Sequence, residues 1–99
     1  MLVTMKSTRT NYDAQGEYNP DTKKLILKKG SKVSDSIGHY KGADNIRKKR
    51  GALCKNGILT EDFEFGSAST AACFVTGTST NGLTTWRDQS GKTLKEIFS

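Results

Sequence analysis

The sequence predicts an α+β domain, a small antiparallel sheet packed by two to three helices, in the order β-β-β-α-β-α-β-α. Three observations lead there. Lys23 to Lys29 places Leu25 and Leu27 on one side and Ile26 on the other, and Phe63 and Phe65 alternate with Asp62, Glu64 and Gly66, the period of a half-buried strand. Ala68, Ala71, Ala72 and Val75 recur at helical spacing and form one narrow apolar face. Turn pairs such as Asn19-Pro20, Asn56-Gly57 and Asn81-Gly82 punctuate the chain between these segments.

In chain order, Leu2, Val3 and Met5 suit a short first strand, while residues 1–11 also read as a flexible start with Met5 as a second initiator. Tyr12 to Tyr18 reads as a strand with a glycine break. Asn19 to Thr22 is a turn in which Pro20 fixes φ. A hairpin pairing residues 14–18 with 24–28 is the simplest local structure, and Gly30-Ser31 closes its second strand. Lys32 to Lys41 is a polar loop holding the sole histidine, His39. A helix is predicted from Gly42 to Lys55, with Ala43, Ile46, Leu53 and Cys54 as a thin apolar stripe and Asn56-Gly57 ending it.

Ile58 and Leu59 then lead into the Phe63–Phe65 strand. Ser67, or Ser69 if the helix starts two residues later, N-caps the small-residue helix. Gly77 suits its C-terminal cap, and Ala71, Ala72 and Val75 are predicted to face the sheet. Asn81-Gly82 reads as a type I′ hairpin signal or an equivalent tight turn. Leu83 to Trp86 reads as a strand that buries the single tryptophan. Asp88 to Gly91 is a turn, and Thr93 with Glu96 is the capping box of a last short helix docked by Leu94, Ile97 and Phe98.

Ninety-nine residues make one domain, and 33% hydrophobic residues support a small core. No apolar run approaches a membrane span, and no charged-then-apolar leader opens the chain. Cys54 and Cys73 form no CxxC, and two reduced thiols fit a cytoplasmic protein. The net charge of +6 is uneven. Residues 23–55 hold eleven Lys or Arg against Asp35 and Asp44, a net of +9, while the flanking segments are −1 and −2. That concentration points to a polyanionic partner. A lysine-rich solubilising surface has the same composition. The candidate phosphate contacts are Lys28, Lys29 and Lys32 at a strand end, Arg47, Lys48, Lys49 and Arg50 on the following helix, where several of the charges must face solvent or a partner and Lys48 and Lys49 are predicted to be solvent-exposed, and Arg87 beside Trp86.

No catalytic constellation, metal set or cofactor motif emerges. His39 has no second histidine to share a metal. Asp62 and Glu64 could together hold Mg²⁺, but no nucleophile or base accompanies them, and a solvated strand face describes them better. Ser67 and Ser69 lie outside any G-x-S-x-G elbow, and the glycines form no phosphate loop. The residues therefore predict a protein that is not an enzyme and needs no cofactor.

Several ordered blocks carry a further signal: Leu27-Lys28-Lys29-Gly30-Ser31, Lys55-Asn56-Gly57-Ile58-Leu59, Phe63 to Ala72 with Ser67, Ser69, Ala71 and Ala72, Val75-Thr76-Gly77, Asn81-Gly82-Leu83-Thr84-Thr85-Trp86, and Gly91-Lys92-Thr93-Leu94. Through these, residues 14–98 resemble a small uncharacterised bacterial and archaeal domain often found C-terminal to GIY-YIG nuclease modules. They are also distantly similar to the RAMA domain, the restriction-enzyme adenine-methylase-associated domain. The chain departs from the family pattern where Ala68 replaces a proline between the two serines and where Leu83 replaces a tryptophan after Asn-Gly. The resemblance implies a non-catalytic accessory module of DNA restriction, modification or repair. Its expected partner is duplex DNA, plain or modified, or alternatively a nuclease or methylase subunit that it docks.

Overall fold

The computed structural model describes residues 1–38 and 42–98, and the prediction for His39 falls outside them. Four strands form the main antiparallel sheet in the order β1 (Leu2–Ser7), β2 (Tyr12–Tyr18), β3 (Leu25–Leu27), β6 (Phe63–Phe65). The expected hairpin is present, with Gly16 opposite Leu27 and Tyr18 opposite Leu25. Residues 2–7, which allowed either a strand or a tail, pair along their whole length with β2.

Strand alternation divides the sheet. Val3, Met5, Ala14, Tyr18, Leu25, Leu27 and Phe65 face the core, while Thr4, Asp13, Gln15, Glu17 and Glu64 are exposed. On the inner face lies α2 (Ala68–Thr76), whose Ala71, Ala72, Phe74 and Val75 are completely buried, as the apolar spacing predicts. Alanines there let the helix backbone approach the sheet closely. Ser67 caps α2 by accepting the Thr70 N–H, and Gly77 ends it in the left-handed conformation. Trp86 is 0% exposed, and its indole N–H donates to the Ala68 carbonyl at 3.0 Å.

Two Asn-Gly pairs depart from their predicted roles. The first helix, α1 (Ala43–Leu53), stops before Cys54, and Asn56-Gly57 does not cap it. Instead both residues take positive φ, 54° and 78°, as a type I′ turn demands, and they join β4 (Cys54–Lys55) to β5 (Ile58–Leu59). Conversely, Asn81-Gly82 opens a single helical turn, α3 (Gly82–Thr85), with the Asn81 side chain accepting the Leu83 N–H. The predicted strand over Leu83–Trp86 is therefore absent, and only Arg87 makes strand-like bridges, to Thr4 and Thr93. Gly82 is needed for closeness and not for its φ. A Cβ there would collide with the backbone of Ala68 and Ser69, and the Gly82 N–H reaches Ser69 Oγ at 2.9 Å. The last helix, α4 (Leu94–Phe98), carries the predicted capping box. Thr93 and Glu96 exchange hydrogen bonds at 3.1–3.2 Å.

Candidate nucleic-acid interface

The residues after β3 form the centre of the positive surface. Lys28 still pairs with β2, donating its N–H to the Gln15 carbonyl, and Lys32 resumes pairing opposite Asp13. The intervening residues bulge outward. Ser31 closes the gap from within: its hydroxyl accepts the Gln15 N–H at 3.1 Å and donates to the Gln15 carbonyl at 3.2 Å. Residues 30–33 then pair with β5, through Gly30 N–H to Leu59 O, Leu59 N–H to Ser31 O and Val33 N–H to Gly57 O. The β4–β5 hairpin thereby extends the sheet beyond the bulge.

This arrangement gathers three lysines. Lys29, Gly30, Ser31 and Lys32 line a concavity of about 290 Å³ with Asp13 and Gln15, and Lys29 and Lys55 line a second groove together with Asn56 and Ile58. Among the described residues, no carboxylate forms an ion pair with Lys29, Lys32 or Lys55. Lys32 instead donates to the Asn11 side-chain oxygen at 3.0 Å. Lys55 was not among the sequence candidates. The signal that could have found it is the Asn-Gly pair beside it, since a hairpin turn there returns Lys55 toward the lysines after β3.

Lys28 differs from its neighbours. Its ammonium meets Asp62 Oδ2 at 3.0 Å, while Asp62 Oδ1 accepts the Lys29 backbone N–H at 2.7 Å. That backbone hydrogen bond, with the Lys28 side chain second, holds the Asp62 carboxyl below its ordinary value. Glu64 lies 3.7 Å from Lys24. The two acids considered for Mg²⁺ thus each have their own lysine, and among the described residues no three His, Cys, Asp or Glu side chains cluster to hold a metal ion.

The basic run on α1 divides into three fates. Arg47 and Lys48 are exposed, Arg47 pairing with Asp44 at 3.0 Å. Lys49, predicted to be solvent-exposed, is instead half-buried, because its ammonium packs 5.3 Å from the Phe65 ring centroid and 5.9 Å from that of Phe63, a cation–π position. Arg50, a candidate phosphate contact, does not present its charge outward. Its guanidinium turns inward to donate to the carbonyls of Phe74, Val75 and Ser34 at 2.8–3.1 Å. The Phe74 and Val75 carbonyls lie at the end of α2, whose last turn holds no basic residue of its own, so the negative end of the helix dipole draws the cation in; Val75 also accepts the Ser34 N–H at 2.8 Å. Ser34 completes the cap: its hydroxyl donates to Thr76 O at 2.7 Å and accepts from Arg50 at 3.1 Å.

Arg87 does not join the lysine cluster. It bridges to Thr4 on the far side of β1 and donates to the Gly91 carbonyl at 2.7 Å. Three strand positions separate it from β3, on the order of 14 Å.

Cys54 and Cys73 are both free, and burial pushes the Cys54 thiol up. No helix among the described residues is long and apolar enough to cross a membrane. No curated protein and no solved structure matches the chain. A family model matches residues 4–98, ten residues earlier than the resemblance began and with all but the start of β1 included, and the chain therefore belongs to the family described as a domain of unknown function, DUF4357.

Proposed function

We propose that the domain is a non-catalytic module that binds duplex DNA through the bulge after β3 and the β4–β5 hairpin, with Lys29, Lys32 and Lys55 meeting phosphates. The observation that carries this reading is the gathering on one surface of three lysines with no carboxylate partner among the described residues, whereas Lys6, Lys24 and Lys28 each pair with an acid. Asp13 lines the same concavity but pairs with Lys6 at 4.0 Å, so the three ammonium groups are left to be neutralised by a polyanion. Arg47 and Lys48 supply a second exposed contact, and Lys28 a weaker one because Asp62 shares its charge. Arg50 is left out of the interface, since its guanidinium is committed to the end of α2. Lys49 packs on Phe63 and Phe65, and Arg87 lies apart at β1.

On the resemblance to domains that accompany GIY-YIG nucleases and to the RAMA domain, the biological setting of this binding is DNA restriction, modification or repair, in the cytoplasm of a prokaryote. The duplex bound there is plain or modified.

The test is a salt titration of duplex binding with the natural chain and with Lys29→Ala/Lys32→Ala/Lys55→Ala. Dissociation constants of roughly 10⁻⁴ to 10⁻⁶ M are expected at physiological salt, with each phosphate contact adding about 0.9 to the slope of log affinity against log salt. The triple variant should flatten that slope by up to about 2.7. Absence of binding even at low salt overturns the reading and leaves docking of a nuclease or methylase subunit as the leading one.

A further inference from the structure

We infer that the β4–β5 hairpin is the element that enters the major groove, with Asn56 and Ile58 meeting the edges of A·T base pairs; the inference rests on the duplex-binding reading above. The register sets up the geometry. Asp13 lies opposite Lys32, Lys32 opposite Ile58, and Ile58 opposite Lys55, so these four residues form one cross-strand row. Directly opposed residues share a face. Lys32 and Lys55 therefore flank Ile58 on one surface, two strand spacings apart, on the order of 10 Å. The two-stranded β4–β5 ribbon fits a major groove about 12 Å wide, with Lys55 at its outer margin and Lys32, on the segment paired with β5, just beyond its inner one, each placed to meet the phosphates of a groove wall.

The side chains between those margins are not accounted for by folding. Leu59 is 1% exposed and fills the core from the inner face of β5, whereas its neighbour Ile58 stands 38% exposed between two ammonium groups. An apolar side chain in that position can contact the C5-methyl group of thymine. Asn56 sits at the exposed tip, and its amide makes no hydrogen bond within the described residues. An asparagine amide matches adenine in the major groove by donating to N7 and accepting from N6. The turn explains why an asparagine backbone is tolerated at φ 54°, but glycine holds that conformation equally well. Asn56→Gly therefore deletes the amide and keeps the hairpin.

The experiment compares three duplexes of one A·T-rich sequence: unmodified, with 7-deazaadenine in place of adenine, and with deoxyuridine in place of thymidine. The first replacement removes N7 and the second removes the methyl group, and both leave base pairing and the phosphates in place. The natural chain should bind the 7-deazaadenine duplex about fivefold or more weakly than the unmodified one. Asn56→Gly should bind the two alike, with an unchanged salt slope, and Ile58→Ala should lose the preference for thymidine over deoxyuridine. Equal affinity of the natural chain for all three duplexes overturns this inference while leaving duplex binding intact. A 7-deazaadenine penalty that persists in Asn56→Gly overturns the assignment to Asn56. Absence of binding to any of them at low salt overturns both this inference and the reading beneath it.

Discussion

The clasp around the start of α2 and the lysine surface around the β4–β5 hairpin handle their polar groups in opposite ways. In the clasp each one turns inward: Ser67 Oγ to the Thr70 N–H, Ser69 Oγ to the Gly82 N–H, Asn81 to the Leu83 N–H, and the Trp86 indole to the Ala68 carbonyl. At the hairpin, the ammonium groups of Lys29 and Lys55 and the amide of Asn56 have no partner within the described residues. The clasp holds most of the residues by which the chain resembles other domains, Ser67, Ser69, Ala71, Ala72, Asn81, Gly82 and Trp86. Their architectural partners show why such a motif can recur without reading a base. A binding function is better sought where side chains are left unengaged.

The clasp is most sensitive at Gly82. A Cβ there meets the backbone of Ala68 and Ser69, which cannot rotate away as a side chain could. Gly82→Ala should cost about 3 kcal/mol, read from the urea midpoint. Gly57→Ala probes the other Asn-Gly pair, where a Cβ meets nothing within 4 Å and only the positive φ is at stake. The expected cost is about 1 to 2 kcal/mol. If Gly57→Ala proves the more damaging of the two, the hairpin is architectural and the clasp is not.

Arg50 and Arg47, one turn apart on α1, repeat the contrast within a single charge run. Arg50→Ala takes both guanidinium donors from the Phe74 carbonyl, while Val75 and Thr76 keep those of Ser34, and should cost about 2 to 3 kcal/mol. Arg50→Lys should not restore it, because one ammonium cannot span the carbonyls of Phe74, Val75 and Ser34 as the planar fork does. Arg47→Ala, on the exposed face, should stay within about 0.5 kcal/mol. Thermal melts of the three variants check the order. A melting temperature for Arg50→Ala equal to that of Arg47→Ala would mean that water replaces the guanidinium at no loss.

Much of this was legible in the sequence. Period-two alternation identified β3 and β6, because a sheet with one buried face must alternate, and Tyr12–Tyr18 read as a strand despite its glycine. The spacing of Ala68, Ala71, Ala72 and Val75 identified the inner face of α2. The capping serine and the Thr93–Glu96 box also read correctly, since those signals are local. The errors lie where one local signal serves two geometries. Asn-Gly at 81–82 has the composition of a hairpin turn, but there the glycine answers to a backbone fourteen residues away. Asn-Gly at 56–57 followed a helix and so resembled its cap. The inward turn of Arg50 was equally hidden, because its partners on α2 are 24 and 25 residues further on and nothing local marks them. Of the lysine surface, Lys29 and Lys32 were readable from charge, and Lys55 emerged only once the hairpin brought it back.

At Asp62, charge and fold can be separated within one residue. Asp62 holds the bulge by its Oδ1 and shares the charge of Lys28 by its Oδ2. An asparagine keeps an oxygen to accept the Lys29 N–H and removes the charge. Since the Asp62 carboxyl titrates below its ordinary value in the folded chain, the stability it contributes is present above the ordinary value of 3.8 and is lost as the pH falls through the folded value. Asp62→Asn should therefore unfold at a slightly lower urea midpoint than the natural chain near neutral pH and converge with it between about pH 5 and about pH 2. The same substitution frees Lys28 for a phosphate and should steepen the salt dependence of duplex binding by about 0.9. A changed acid profile with an unchanged slope would place Lys28 outside the interface. A steeper slope with no change in the neutral-pH midpoint would mean that the ion pair tempers DNA affinity and contributes nothing measurable to the fold.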